Sequence, residues 1–139
     1  MTFLGIDHIG IAVHDLETAT LTYRDILGFA PTDEEILEER GLHVRFFATG
    51  NSSIELLGAT RPNSEISKFL EKRGEGLHHI CIKVKDLEAE VARIQREGGE
   101  ILRGIETGAH GSRVAFVHPR SAHGVLLELV TTEPAPSPK

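Results

Sequence analysis

Alternation of apolar and polar residues predicts strands at two similar places in the chain. Residues 4–13 and 77–84 alternate with period two and are rich in Ile and Val, the pattern of half-buried strands. Asp15 and Asp86 follow these strands as candidate helix N-caps, and each precedes apolar residues at helical spacing. Those apolar residues are Leu16, Ala19, Tyr23, Ile26 and Leu27 in the first helix, and Leu87, Val91 and Ile94 in the second.

Each predicted helix ends at a glycine and is followed by three short strands. Gly28 and the pair Gly98 and Gly99 stand where a C′ glycine ends a helix. The strand candidates are residues 29–37, 43–49 and 52–58 in the first half, and residues 100–106, 113–118 and 124–131 in the second. Both halves therefore have the predicted order βαβββ.

The two halves also share sequence, which indicates an internal repeat. Residues 7–17 and 78–88 align without a gap and match at seven of eleven positions. The identities are His8/His79, Ile9/Ile80, Ile11/Ile82, Val13/Val84, Asp15/Asp86, Leu16/Leu87 and Glu17/Glu88. A second similarity pairs residues 54–56 with residues 127–129.

The repeat predicts an α+β fold of two tandem βαβββ modules, residues 1–60 and 76–132. We expect the modules to form a cupped, mostly antiparallel sheet with the helices on its outer face. A stretch with apolar residues on one helical face predicts a connecting helix at residues 63–74. Residues 1–132 are expected to form a single domain, and the Pro-rich residues 133–139 a flexible tail.

Composition narrows the class of protein. The chain has 139 residues, of which 40% are hydrophobic and 26% charged, as is typical of a globular domain. A net charge of −6 argues against a nucleic-acid partner, which requires a basic face. No apolar run is long enough to cross a bilayer and no secretory signal is visible, so we expect no membrane partner and a cytoplasmic location. The single cysteine, Cys81, excludes an intramolecular disulfide.

Strand alternation also groups four polar side chains. His8, His79, Glu55 and Glu128 occupy equivalent strand positions in the two modules, each opposite an aliphatic face. A carboxylate inside a sheet-lined cup is costly unless it is neutralised, and one divalent cation would neutralise two carboxylates held beside two imidazoles. Nitrogen and oxygen ligands suit Zn, Co, Ni, Mn or Fe(II). The alternative is a set of half-buried polar residues at an open sheet mouth, paired with each other or with solvent.

The repeat, the strand-borne His/Glu pairs and the βαβββ order resemble the vicinal oxygen chelate superfamily, which includes glyoxalase I. The match is closest to the methylmalonyl-CoA epimerase family and extends from Ile6 to about Val130. Its segments here are residues 7–13, residues 64–84 and residues 108–129. The first segment is general to the superfamily, whereas the second and third resemble the epimerases specifically.

This resemblance implies a reaction and a ligand set. The family interconverts (R)- and (S)-methylmalonyl-CoA by abstracting the C2 proton through a metal-stabilised enolate. His8, His79 and Glu128 match the family's metal ligands, and Glu55 falls at the remaining ligand position, which is Gln in some members. The resemblance favours Co²⁺, with Mn²⁺, Zn²⁺, Ni²⁺ or Mg²⁺ as alternatives. It also implies an acyl-CoA substrate and a homodimer.

Epimerisation needs acid–base groups on both faces of C2. Glu39, in the sequence Glu-Arg-Gly, best matches the family's general base, and the neighbouring Glu38 is the alternative. Glu128 is implied for the second face, with a water as the alternative.

The sequence also gives expectations for four other histidines. His78 is expected to be a hydrogen-bonded packing residue, and His43, His118 and His123 to be structural.

Two other functions stay open on the same fold. One is an Fe(II) oxygenase or glutathione-type isomerase, and the other is a metal-free small-molecule binding protein.

Overall fold

The computed structural model describes residues 2–137, and within them the chain divides into two compact units. One unit comprises residues 8–79, and the other comprises the residues up to Asp7 together with those from Ile80 onward. The boundaries of these units differ from those of the expected modules. The connecting helix and residues 76–79 belong with the first unit, and the residues before His8 belong with the second. The expectation of a single domain over residues 1–132 stays a prediction.

The described residues contain eight β-strands and three α-helices, and both halves have the predicted order βαβββ. In chain order the elements are β1 (Phe3–Ala12), α1 (Leu16–Leu21), β2 (Ala30–Leu37), β3 (Leu42–Ala48), β4 (Ser53–Ala59), α2 (Glu65–Arg73), β5 (Gly76–Val84), α3 (Leu87–Arg96), β6 (Ile101–Thr107), β7 (Arg113–Val117) and β8 (Leu127–Thr131). The predicted α+β class is confirmed. None of the helices in this part of the chain is long and apolar enough to span a bilayer.

In the unit of residues 8–79, β1 pairs in parallel with β4, β4 pairs antiparallel with β3, and β3 pairs antiparallel with β2. α1 begins at its predicted cap, since the Asp15 carboxylate accepts a hydrogen bond from the Thr18 amide at 3.0 Å. Leu16 of this helix packs against Phe47 and Leu56 on one face of the strands. That aliphatic packing leaves the other face of β1 and β4 to the polar residues.

The second unit repeats this arrangement. β5 pairs in parallel with β8, and β8, β7 and β6 pair antiparallel in that order. The Asp86 carboxylate caps α3 by accepting from the Ala89 amide at 3.0 Å, and Leu87 is fully buried against Val84 and Leu129. A second cluster, formed by Cys81, Val114, Phe116 and Val130, covers the opposite face.

Two helices differ from the predicted boundaries. The pattern predicted one helix through Leu27, but α1 ends at Leu21 and a π-helical turn follows at Thr22–Ile26. The turn stops before Gly28, whose φ of 81° is in the left-handed region. α2 is shorter than predicted because the Ser64 hydroxyl caps it, accepting from the Ser67 amide at 3.2 Å.

The predicted tail is irregular where it is described. An Nη1 atom of Arg113 donates to the Glu133 carbonyl at 3.4 Å, and the Glu133 amide donates to the Thr131 hydroxyl. The tail's flexibility stays a prediction, and its last two positions, 138 and 139, lie outside the described residues.

Candidate functional site

The unit of residues 8–79 brings three of the predicted site residues together. His8 comes from β1, Glu55 from β4 and His79 from β5. In the parallel β1–β4 pairing, Gly10 lies opposite Glu55. Gly10 is two residues after His8 on β1, so His8 and Glu55 are on the same face of the sheet. Their exposed fractions are only 5% for His8, 7% for Glu55 and 6% for His79. Buried polar groups of this kind require partners.

The three side chains form a continuous line of contacts. Glu55 Oε2 lies 3.0 Å from His8 Nδ1, and His8 Nε2 lies 2.9 Å from His79 Nε2. The two imidazole rings meet edge to face, at an interplanar angle of 89°. The His79 Nδ1 atom lies 2.9 Å from Nδ1 of His78, which extends the line by one residue.

One proton arrangement, assigned from the hydrogen-bond network, is consistent with these contacts. His8 donates from Nδ1 to Glu55, His79 donates from Nε2 to His8, and His78 donates from Nδ1 to His79. The carboxylate therefore orients His8 and leaves its Nε2 lone pair directed at His79. This is the arrangement by which carboxylates orient imidazoles that bind metal ions.

The cluster fits a divalent cation. Ligand atoms of His8, Glu55 and His79 all lie within 4.8 Å of one another. Two imidazole nitrogens that bind one ion at about 2.1 Å in neighbouring octahedral positions lie about 3.0 Å apart, close to the 2.9 Å between the two Nε2 atoms. Two nitrogens and a carboxylate form a set that Zn²⁺ and the neighbouring transition metals accept.

Sequence reasoning missed the contact of His78 with His79. The His78 ring packs edge to face on Phe69 of α2, with 4.9 Å between the ring centroids, and its Nδ1 contacts His79. His78 was expected to be a hydrogen-bonded packing residue, but His79 was not expected as its partner, because strand alternation places the two residues on opposite faces. An ion bound to His79 Nε2 would require the proton of that ring on Nδ1, and His78 would then accept it through its own Nδ1 in the opposite tautomer.

Gly10 is the second residue that sequence reasoning missed. A Cβ atom at this position would lie 2.2 Å from Cε1 of His79, so the imidazole occupies the space that a side chain would take. A glycine between two isoleucines in a strand is the sequence signal for such a close approach.

The predicted fourth ligand, Glu128, belongs to the other unit. It lies on β8, is 5% exposed, and pairs in register with Cys81 on β5 and Phe116 on β7. Glu128 is therefore on the same face of these strands as the buried cluster that contains Cys81 and Phe116. Its role as a ligand stays a prediction.

The two candidate bases lie on a short turn between β2 and β3. Glu38 and Glu39 open a 3₁₀ turn that ends at Arg40, and both are exposed. Gly41 follows in the left-handed conformation, with φ of 62°. The turn is part of the same unit as His8, Glu55 and His79.

The other histidines with described side-chain contacts have local partners, as expected of structural residues. His43 Nε2 lies 2.8 Å from Glu34 Oε1, and this hydrogen bond, together with the charge of Arg45, lowers the pKa of Glu34. His118 Nδ1 accepts from the Arg120 amide at 2.9 Å and so caps a 3₁₀ turn.

Comparison with known proteins relates this arrangement to one family. A profile of the glyoxalase/bleomycin resistance protein/dioxygenase superfamily matches residues 7–116. The chain is 42% identical over 130 residues to the ethylmalonyl-CoA/methylmalonyl-CoA epimerase of Cereibacter sphaeroides, covering 89% of this chain and 95% of that protein.

Solved structures give the same relation. Two variants of Streptomyces coelicolor methylmalonyl-CoA epimerase, one with a glutamate changed to glutamine and one with a glutamine changed to alanine, were solved with 2-nitronate-propionyl-CoA. Each superposes with a TM-score of 0.89 at 39% identity, over 96% of this chain and 100% of the other. A methylmalonyl-CoA epimerase in complex with methylmalonyl-CoA and NH₄⁺ gives a TM-score of 0.90 at 40% identity, over 99% and 100%.

Replacing Gly10 with alanine should displace the His79 ring, because the added Cβ would overlap its Cε1 atom. We expect loss of the His8–His79 contact and a decrease of about 1–3 kcal/mol in the free energy of unfolding. Imidazole NMR shifts and urea denaturation measure the two effects. Gly58→Ala is the matched control, since a Cβ there would come no closer than 3.2 Å to Leu16. An unmoved His79 ring in Gly10→Ala would contradict the prediction.

Proposed function

The chain belongs to the glyoxalase/bleomycin resistance protein/dioxygenase superfamily, and we infer that it is an enzyme that epimerises methylmalonyl-CoA at C2. The observation that carries this inference is the superposition, at a TM-score of 0.90 and 40% identity, on an epimerase that was solved with methylmalonyl-CoA bound. The buried His8–Glu55–His79 cluster supplies the polar centre that such chemistry needs. A small acyl-CoA is accordingly the expected ligand.

We propose that the cluster holds a divalent cation. His8 and His79 would bind it through imidazole nitrogens and Glu55 through its carboxylate, since ligand atoms of the three side chains lie within 4.8 Å of one another. The sequence repeat supports Glu128 as a fourth ligand, and the family resemblance supports Co²⁺ ahead of Mn²⁺, Zn²⁺, Ni²⁺ or Mg²⁺. When bound, such an ion supplies Lewis-acid stabilisation of negative charge on substrate oxygens.

The chain's own residues would do the positioning and proton transfer. Glu55 holds the imidazole of His8 in one orientation through Nδ1, and His78 and Gly10 hold the His79 ring in place. The C2 proton of methylmalonyl-CoA lies between a thioester and a carboxylate, so a carboxylate base is sufficient to remove it once the enolate charge is stabilised. The resemblance assigns the return of a proton to the second face of C2 to Glu128.

The base is one of two neighbouring glutamates. In the Streptomyces coelicolor variants, the replaced glutamate and the replaced glutamine are separated in sequence by the same distance as Glu38 and Glu55 here. This spacing supports Glu38, whereas the Glu-Arg-Gly motif supports Glu39. Both side chains are exposed on the same turn, so both are available to a substrate.

The function is tested by proton exchange at C2. Purified protein with added Co²⁺ or Mn²⁺ and methylmalonyl-CoA in D₂O should incorporate deuterium at C2, measured by mass spectrometry, and a chelator should stop the exchange. Exchange that survives complete removal of metal would contradict the metal proposal. Absence of exchange in the metal-loaded protein would remove the epimerase assignment. Oxygen uptake with a catechol would then favour an oxygenase.

Ligand variants separate metal binding from catalysis in the same assay. His79→Ala and Glu128→Gln should each weaken Co²⁺ binding by tenfold or more, measured by isothermal titration calorimetry. His118→Ala is the matched control, because the His118 side chain accepts a hydrogen bond from the Arg120 amide and is not among the proposed ligands. Unchanged Co²⁺ affinity in Glu128→Gln would limit the ligand set to His8, Glu55 and His79.

Replacing the candidate bases one at a time identifies the catalytic one. Glu38→Gln and Glu39→Gln keep the size of the side chain and remove its basicity. The variant that lacks the true base should exchange deuterium at least a hundredfold more slowly than wild type while keeping its full metal content. The exchange rate of the other variant should stay within a few-fold of wild type. Equal, small losses in both variants would show that neither residue removes the proton.

We also propose that the protein acts as a homodimer in the cytoplasm. Phe3, Leu4 and Ile6 leave a substantial part of their apolar surface exposed on β1, as an interface strand would. Light scattering of the purified chain should give twice the monomer mass of 15.2 kDa. A monomer mass at micromolar concentration would contradict the dimer.

A further inference from the structure

Arg61 contacts the turn that carries the two candidate bases. Its Nη1 atom donates to the Glu38 carbonyl at 2.7 Å, and its Nη2 atom donates to the Glu39 carbonyl at 3.0 Å. The planar guanidinium therefore binds two consecutive backbone oxygens at once, which its fixed fork of donors allows. The Glu38 carbonyl also accepts from the Gly41 amide at 3.1 Å, the bond that closes the turn.

Gly41 makes room for this contact. Its φ of 62° is a conformation that glycine adopts without strain. A Cβ atom at this position would lie 2.7 Å from Arg61 Nη1 and 2.9 Å from Arg61 Cζ. The absence of a side chain at Gly41 is thus a condition for the guanidinium to reach the two carbonyls.

The backbone of Arg61 is itself held at the start of α2. Its carbonyl accepts from the Ser67 hydroxyl at 2.8 Å, and Ser67 in turn shares a hydrogen bond with the capping residue Ser64. The preceding residue, Thr60, donates its amide to the Gly41 carbonyl at 2.9 Å. The turn is therefore connected to the segment between β4 and α2 through both the Thr60 amide and the Arg61 guanidinium.

We propose that Arg61 is a positioning residue for proton abstraction at C2. The 3₁₀ turn of Glu38–Arg40 is a single short turn with little hydrogen bonding of its own, so its orientation depends on external contacts. Arg61 supplies two of these contacts directly on the residues that carry the candidate bases. Displacing a base by about 1 Å can slow proton abstraction by up to a hundredfold.

The proposal rests on the proposed function, but its first test does not require activity. Arg61→Gln and Arg61→Lys remove the planar fork, and Lys keeps the positive charge. In both variants the Gly41 amide should exchange with D₂O at least tenfold faster, while the Gly74 amide, bonded within α2 to the Leu70 carbonyl, keeps its wild-type rate. Hydrogen exchange measured by NMR gives both rates.

Kinetics give the second test. In both variants kcat for methylmalonyl-CoA should fall about tenfold with KM and Co²⁺ content close to wild type, because the base and not the binding of substrate is disturbed. Arg24→Gln is the matched control, an exposed arginine of the same unit that pairs with Asp25. It should leave both kcat and Gly41 exchange unchanged.

The outcomes separate this proposal from the assignment of function. Wild-type kcat in the Arg61 variants would overturn the proposal, whether or not Gly41 exchange changes. A fall in kcat without faster Gly41 exchange would also overturn it, since Arg61 would then act on the substrate directly. If the wild-type protein shows no epimerase activity, the proposed function fails, and Gly41 exchange alone decides whether Arg61 holds the turn.

Discussion

Burying the Glu55 carboxylate beside two imidazoles is the constraint on which the candidate site depends. A charged group removed from water loses several kcal/mol of solvation unless hydrogen bonds or an opposite charge replace it. Here His8 faces the carboxylate at 3.0 Å and His79 faces His8 at 2.9 Å, so each buried polar atom of this line has a partner. A divalent cation would neutralise the same carboxylate more completely, which makes the cluster suited to metal-assisted chemistry.

The period-two geometry of strands is what makes this burial feasible. The strands direct one set of apolar side chains to α1 or α3. The polar candidate residues stand on the opposite face, which in the second unit also carries the cluster of Cys81, Val114, Phe116 and Val130. The core therefore forms without any contribution from the polar residues. In one unit the opposite face carries His8 and Glu55, and in the other it carries Glu128 beside Cys81 and Phe116.

The candidate metal ligands and the candidate bases are held in different ways. His8, Glu55 and His79 stand on strands, whose ladders restrain them closely. Glu38 and Glu39 lie on an exposed turn that has no strand partner. There the guanidinium of Arg61 hydrogen-bonds to their carbonyls. Metal ligands must keep fixed separations, whereas a base must approach a substrate that enters from solvent. This division of rigidity agrees with epimerisation chemistry.

The repeat and the alternation of residue types were sufficient to predict both βαβββ halves, the caps at Asp15 and Asp86, and the shared face of His8 and Glu55. These features depend on local periodicity, which a sequence displays directly. Tertiary structure alone decided that His78 contacts His79, that the imidazole of His79 is the group that fills the space beside Gly10, and that Arg61 binds the turn. Such contacts depend on side-chain torsions and on the approach of segments far apart in the chain, and no local pattern encodes either.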